Sequence, residues 1–236
     1  MEKEIRNAIE KVTQRSRKLL EEDFAEELEG TYDVLRSGSV ALKGGVHLTE
    51  RQHLLRAKIV AVIEHKCAAG MKPGEAVMDY IRDAAFTALN RFVALKMLEA
   101  RELVQECITK GDQSSGYKEF CGLAPGVALL PDNAGYRLYI ESLFDELSTE
   151  IKVLFDRRDP DSVLWPRRKT FETLLSVLVR RLGGVIIRRG GPVPRYPLAF
   201  MTAKPGPEPS ERGGGCGGAL RRVGMAGQVR QGHYLI

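Results

Sequence analysis

Five cations, Arg157, Arg158, Arg167, Arg168 and Lys169, stand close together with the one tryptophan, Trp165, between them. Cations beside a stackable indole suit a phosphate backbone, where each phosphate contact adds salt-dependent affinity. The local charge is not all of one sign, because Asp156, Asp159 and Asp161 offset much of it. Helix-capping carboxylates and a half-buried tryptophan account for the same residues. Phosphate contact and a solvated charged face therefore both stand as readings.

Other pairings carry less chemistry. Glu141 and Asp145 share a helical face at i, i+4, but no histidine or metal ligand lies near them in sequence. They read as a solvated edge rather than an acid/base pair. His65 and Cys67 are two apart on a helix and so point to different faces, which excludes a local metal pair. The cysteines at 67, 107, 121 and 216 form no CxxC, and the four histidines are equally scattered. Neither a zinc cage nor a disulfide scaffold fits that spacing. The phosphate loop GxxxxGK[ST], the GxSxG elbow, HExxH and the EF-hand loop are all missing. GGGCGG at Gly213–Gly218 has no credible strand before it or helix after it, and reads as low complexity.

Asn90 is the polar residue whose placement asks for an explanation. At 100° per residue it falls among Phe86, Leu89, Val93 and Met97, in the middle of an apolar stripe. An amide there costs free energy unless its donors and acceptors are paired. A core asparagine bonded to a neighbouring element is the first reading, and a group positioning a ligand or domain is the second. Arg91 falls off the stripe, free to reach a partner or a carboxylate.

These residues need helices to hold them. Residues 2–29 read as a charged amphipathic helix on Ile5, Ile9, Val12, Leu20, Phe24 and Leu28, with Gly30 as its carboxy-terminal cap. After a Ser/Gly-containing loop, Thr49 and Gln52 have capping-box spacing and open a helix that ends at Gly70. Pro73 suits the first turn of the next and longest helix, from about Gly74 to Ile108. A Gly/Pro-punctuated segment, YKEFCGLAPGVALLPDNAG, precedes a helix from about Tyr136 to Phe155 that Arg157–Pro160 break. Pro166 opens a final helix. No alternating strand pattern occurs before residue 178, so this part is expected to be all-α.

The charge is unevenly divided. Residues 179–236 hold nine Arg and one Lys against two Glu, a net +8, which leaves −3 of the chain's +5 for residues 1–178. The same tail has 13 of the 24 glycines and 6 of the 11 prolines, a composition that offers little apolar surface to offset ordering entropy. It is expected to be largely disordered, giving three parts: 1–45, 46–178 and 179–236. The longest aliphatic run, Ile59–Ile63, is far short of the roughly 20 residues of a membrane span, and the charged start MEKEIRNAIEKV does not resemble a signal peptide. A cytoplasmic protein with no membrane partner is expected.

The runs AFTALNRFVALKMLE, YKEFCGLAPGVALLPD and GYRLYIESLFDELSTEIKVLFDRRDPDSVLWPRRKTFETLLSVL together carry a likeness. Over residues 45–178 the chain resembles the amino-terminal helical region of adenine-specific DNA methyltransferases, of the BREX-type phage-defence group and its type II restriction-modification relatives. The pattern F-T-x-x-N-R-x-x-A-L-K is matched by Phe86, Thr87, Asn90, Arg91, Ala94, Leu95 and Lys96. The resemblance implies methyl transfer from S-adenosylmethionine to an adenine flipped out of the DNA duplex. It also implies partners, namely DNA and other defence-system proteins. The family's cofactor-binding glycine motif and N-P-P-Y or D-P-P-Y loop have no counterpart here, so no catalytic, cofactor or metal residue carries over and no cofactor is expected in this chain. Past about residue 178 the sequence leaves the family pattern for Arg/Gly/Pro-rich text of the kind an out-of-frame reading of GC-rich DNA produces. The expectation is a truncated or frameshifted fragment without methyl transfer of its own. A free-standing helical interaction module and nucleic-acid binding through the basic tail are the alternatives.

Overall fold

A computed structural model describes residues 2–41, 45 and 47–182. The tail expected from 179 onward, Gly213–Gly218 included, lies outside the described residues from 183 on. Seven α-helices are found among them: α1 (Glu2–Gly30), α2 (Glu50–Ala68), α3 (Pro73–Ala100), α4 (Ser115–Leu123), α5 (Ala134–Leu147), α6 (Lys152–Phe155) and α7 (Arg168–Val177). Short tight turns join the later ones, and a wider turn at Leu178–Leu182 extends α7. Among the described residues no strand occurs, and Val34 and Val40 form one isolated antiparallel bridge.

Local sequence explains most of the boundaries. The Thr49 hydroxyl accepts from the Gln52 N–H at 3.3 Å, and the Thr49 N–H donates to Gln52 Oε1 at 2.8 Å, completing the capping box of α2. At its far end Gly70 takes φ +101°, and the N–H groups of Gly70 and Met71 bond the carbonyls of Cys67 and Lys66. That is a glycine-closed Schellman end. Pro73 is the first residue of α3, as expected. Gly30 is instead the last residue of α1 and does not take a positive φ.

Two helices stop earlier than expected. α3 ends at Ala100 rather than Ile108, because Glu102 adopts φ +58° and the Leu103 N–H returns to Leu98 O at 3.0 Å. This is the same Schellman geometry built without glycine, so the sequence carries no signal for it. The helix expected over 136–155 is divided into α5 and α6. Ser148 and Thr149 turn their hydroxyls back onto the carbonyls of Asp145 and Glu146, competing with continued helix, and Ile151 leaves helical geometry.

α3 is the centre of the fold. α1, α2, α6 and the Pro160–Ser162 turn all pack on it, and buried residues occur around most of its circumference, from Val77, Tyr80, Ile81 and Ala84 to Phe92, Val93 and Leu95. Such a helix has no single apolar stripe. Phe92 anchors the aromatic core, with ring centroids 5.0 Å from Phe171, 5.5 Å from Trp165 and 6.2 Å from Phe144. The 31–41 loop is pinned by Arg56 of α2, whose guanidinium donates to the carbonyls of Tyr32 and Ala41 at 2.7 and 2.5 Å. Gly38, at φ +89°, fits only as glycine, since a Cβ there would lie 2.3 Å from Pro73.

Candidate functional site

Arg91 ties the resemblance motif to the segment that carries the cations. It is buried on α3, and its Nε donates to Leu154 O at 2.7 Å. Its Nη2 donates to Asp156 O at 2.8 Å and to Ser162 Oγ at 2.6 Å, while the guanidinium lies 5.4 Å from the Phe144 ring centre. The carbonyls are available because α6 is a single turn that stops at Phe155, leaving its last carbonyls outside any helical hydrogen bond. Burial lowers the Arg91 pKa to about 10, with Arg157 acting in the same direction and Asp159, Asp156 and Asp161 opposing, so it remains a cation at neutral pH. Arg91, Glu141, Arg157, Ser162 and Trp165 line a cavity of about 20 Å³, room for one water molecule. The sequence placed Arg91 off the apolar stripe and Asn90 within it. The structure buries Arg91 and leaves Asn90, Phe86 and Thr87 half-buried, because α3 is covered on the side opposite the stripe as well. The Phe86 ring faces the Arg17 guanidinium at 5.8 Å.

The five cations are put to different uses. Arg157 is held by Glu141 and Asp145, both at 2.5 Å, so that acidic pair forms a clamp around an arginine. Arg167 is bound to Asp23 and Glu26 of α1, with its Nε 2.7 Å from Asp23 Oδ1. Arg168 pairs with Glu172 one turn along α7 at 2.9 Å. Arg158 and Lys169 are exposed. Trp165 is packed among Phe92, Phe144 and Phe171, with the Arg137 guanidinium 5.0 Å from its ring centre. Its indole is occupied by the protein's own core.

Two carboxylate sites were not legible in sequence. Glu99, at the end of α3, accepts at Oε2 from the N–H groups of Cys107, Ile108 and Thr109, at 2.9, 2.6 and 3.1 Å. Its Oε1 accepts from Lys96 Nζ at 2.7 Å and from the Thr109 hydroxyl. Burial opposes its ionisation, but the bonds from Lys96, Thr109, Ile108 and Cys107 prevail and hold the carboxyl at about 2. Asp23, buried on α1, accepts from the Arg167 N–H at 2.9 Å and from the Thr170 hydroxyl at 2.8 Å. A buried Lys at 96 followed by Glu at i+3 hints at the first site; nothing local hints at the second.

His65 is exposed and Cys67 half-buried, and no cluster of metal-ligating side chains occurs among the described residues. No described helix is long and apolar enough to cross a membrane. No family model, curated protein or solved structure matches this chain.

Proposed function

We propose that this chain is the helical front domain of an adenine-specific DNA methyltransferase of a phage-defence or restriction-modification system, with a scaffolding role and no methyl transfer of its own. The observation that carries the reading is the place of its motif. Arg91, the arginine of F-T-x-x-N-R-x-x-A-L-K, is buried at the centre of the fold and holds the carbonyls of Leu154 and Asp156. A motif used this way preserves an architecture rather than a reaction. The enclosed space beside Arg91, room for one water, is far below the several hundred Å³ that a nucleoside-sized ligand occupies. Calorimetry with S-adenosylmethionine should show no saturable binding to the chain alone; saturable binding overturns the reading.

DNA contact, in this reading, rests on Arg158 and Lys169, the cluster cations that form no salt bridge among the described residues. Replacing both by Gln is expected to weaken duplex binding and flatten its salt dependence by up to about two phosphate contacts. If binding instead survives that change and disappears when 179–236 are removed, the basic tail is the binding element.

The second reading, a helical interaction module for other defence-system proteins, is favoured by exposed leucines. Leu123 and Leu129 are 83% and 86% exposed, and Leu130, next to Leu129 in sequence, is 44% exposed. Large apolar side chains left in water are the raw material of interaction sites. Changing Leu123 and Leu129 to Ser should leave DNA affinity untouched under the first reading and abolish partner binding under the second.

A further inference from the structure

Asp23 and Glu27 stand one turn apart on α1, and α7 packs against that helix. Asp23 collects three donors, from the Arg167 N–H, Arg167 Nε and the Thr170 hydroxyl. Glu26 takes the outer nitrogen of the same guanidinium. Glu27 receives none of these. Its Oε2 is sealed from water and has no hydrogen-bond partner among the described residues. The charged and titratable groups facing it are Asp23 on α1, Arg137 on α5, Arg167 ahead of α7, Tyr32 in the following loop and Tyr80 on α3. Arg137 is committed elsewhere, donating to Glu141 at 2.7 Å and lying over Trp165.

An ionised Glu27 therefore sets a second negative charge beside Asp23, with one oxygen cut off from both water and donors. A protonated Glu27 carries no charge to desolvate. We infer that the junction of α1 and α7 is a proton-operated latch, in which a proton on Glu27 seats α1 and its loss loosens the seat. Burial pushes the Glu27 carboxyl from 4.5 to about 7, with Asp23 adding to the rise and Arg137 and Arg167 opposing it. The folded pKa is raised, so the contribution is complete below 4.5 and drains away as the pH climbs through about 7. The latch thus operates close to neutrality.

The test is chemical denaturation of the full chain between about pH 5 and 8, wild type against Glu27→Gln, with amide exchange measured alongside. Every group other than residue 27 is common to both proteins, so the difference between the two profiles isolates Glu27. The wild-type folding constant is expected to fall about 100-fold relative to the variant over that interval. Amides of 20–28 and 171–177 should lose protection with rising pH in the wild type alone, beyond the intrinsic exchange rate. Parallel stability profiles, or unchanged protection in α1 and α7, overturn the latch. Should Glu27→Gln not fold, carbon-13 NMR of the wild-type glutamates decides: a Glu27 midpoint near 7 upholds the latch, and one below 5 overturns it.

Discussion

Near the ends of α1 and α3 the chain withdraws a glutamate from water, and the two carboxylates meet opposite surroundings. Glu99 finds three backbone N–H groups, a buried ammonium and a hydroxyl. Glu27 finds donors already claimed by Asp23 and Glu26, and keeps an oxygen with no partner. Burial alone favours the neutral acid at both positions. Donor supply decides the outcome, holding one carboxyl at about 2 and leaving the other at about 7. The donors at Glu99 come from a loop that folds back over the helix end, while α7 arrives at α1 with one arginine and one threonine for three carboxylates.

The contrast can be broken most forcefully at Glu99. Glu99→Ala leaves three inward N–H groups without their acceptor and the Lys96 ammonium with only the Thr109 hydroxyl, and is expected to cost about 3–5 kcal/mol in urea denaturation. A loss under about 1 kcal/mol would mean that water replaces the carboxylate and the two sites do not differ in kind. Next comes the acid limb. The folded Glu99 carboxyl lies below its ordinary 4.5, so its contribution is complete above 4.5 and is lost as the pH falls toward 2. At about 1.4 kcal/mol per pKa unit the limb amounts to about 3 kcal/mol, and Glu99→Gln should lack it. For these two groups taken together, stability is expected to peak near pH 4.5, where Glu99 is ionised and Glu27 still holds its proton.

Arg91 extends the comparison to a buried cation that is well supplied with acceptors. Arg91→Lys keeps the charge but not the planar fork that reaches Leu154 O, Asp156 O and Ser162 Oγ, and should cost about 1–3 kcal/mol by thermal or chemical denaturation. An unchanged midpoint would show that those carbonyls find other donors. The smallest effect belongs to the surface. Arg168 and Glu172 form a pair in which each side chain is 57% exposed, and Arg168→Ala is expected to leave the denaturation midpoint unmoved. A clear shift there would mean that exposed pairs matter to this fold as much as buried ones.

Elements whose cause is local were readable from neighbouring residues. The Thr49/Gln52 box, Gly70 and Pro73 each act within a few residues of themselves, and each marks its boundary as expected. The end of α3 was not readable, because its left-handed closing residue is Glu102 rather than glycine. Arg91 is buried and Asn90 only half-buried because the stripe was drawn for a helix with one covered face, whereas α3 is covered on several. The cations at 157–169 were visible as a group, but their acceptors were not. Asp23 stands 144 residues before Arg167, and no spacing rule links positions that far apart.

Amino-acid order alone determined a helical chain with defined starts and stops, since caps, prolines and glycines act on the backbone within a turn or two. Only the folded arrangement decided which charges are satisfied. That depends on how many donors and acceptors meet at each buried point, which is a property of several chain segments at once.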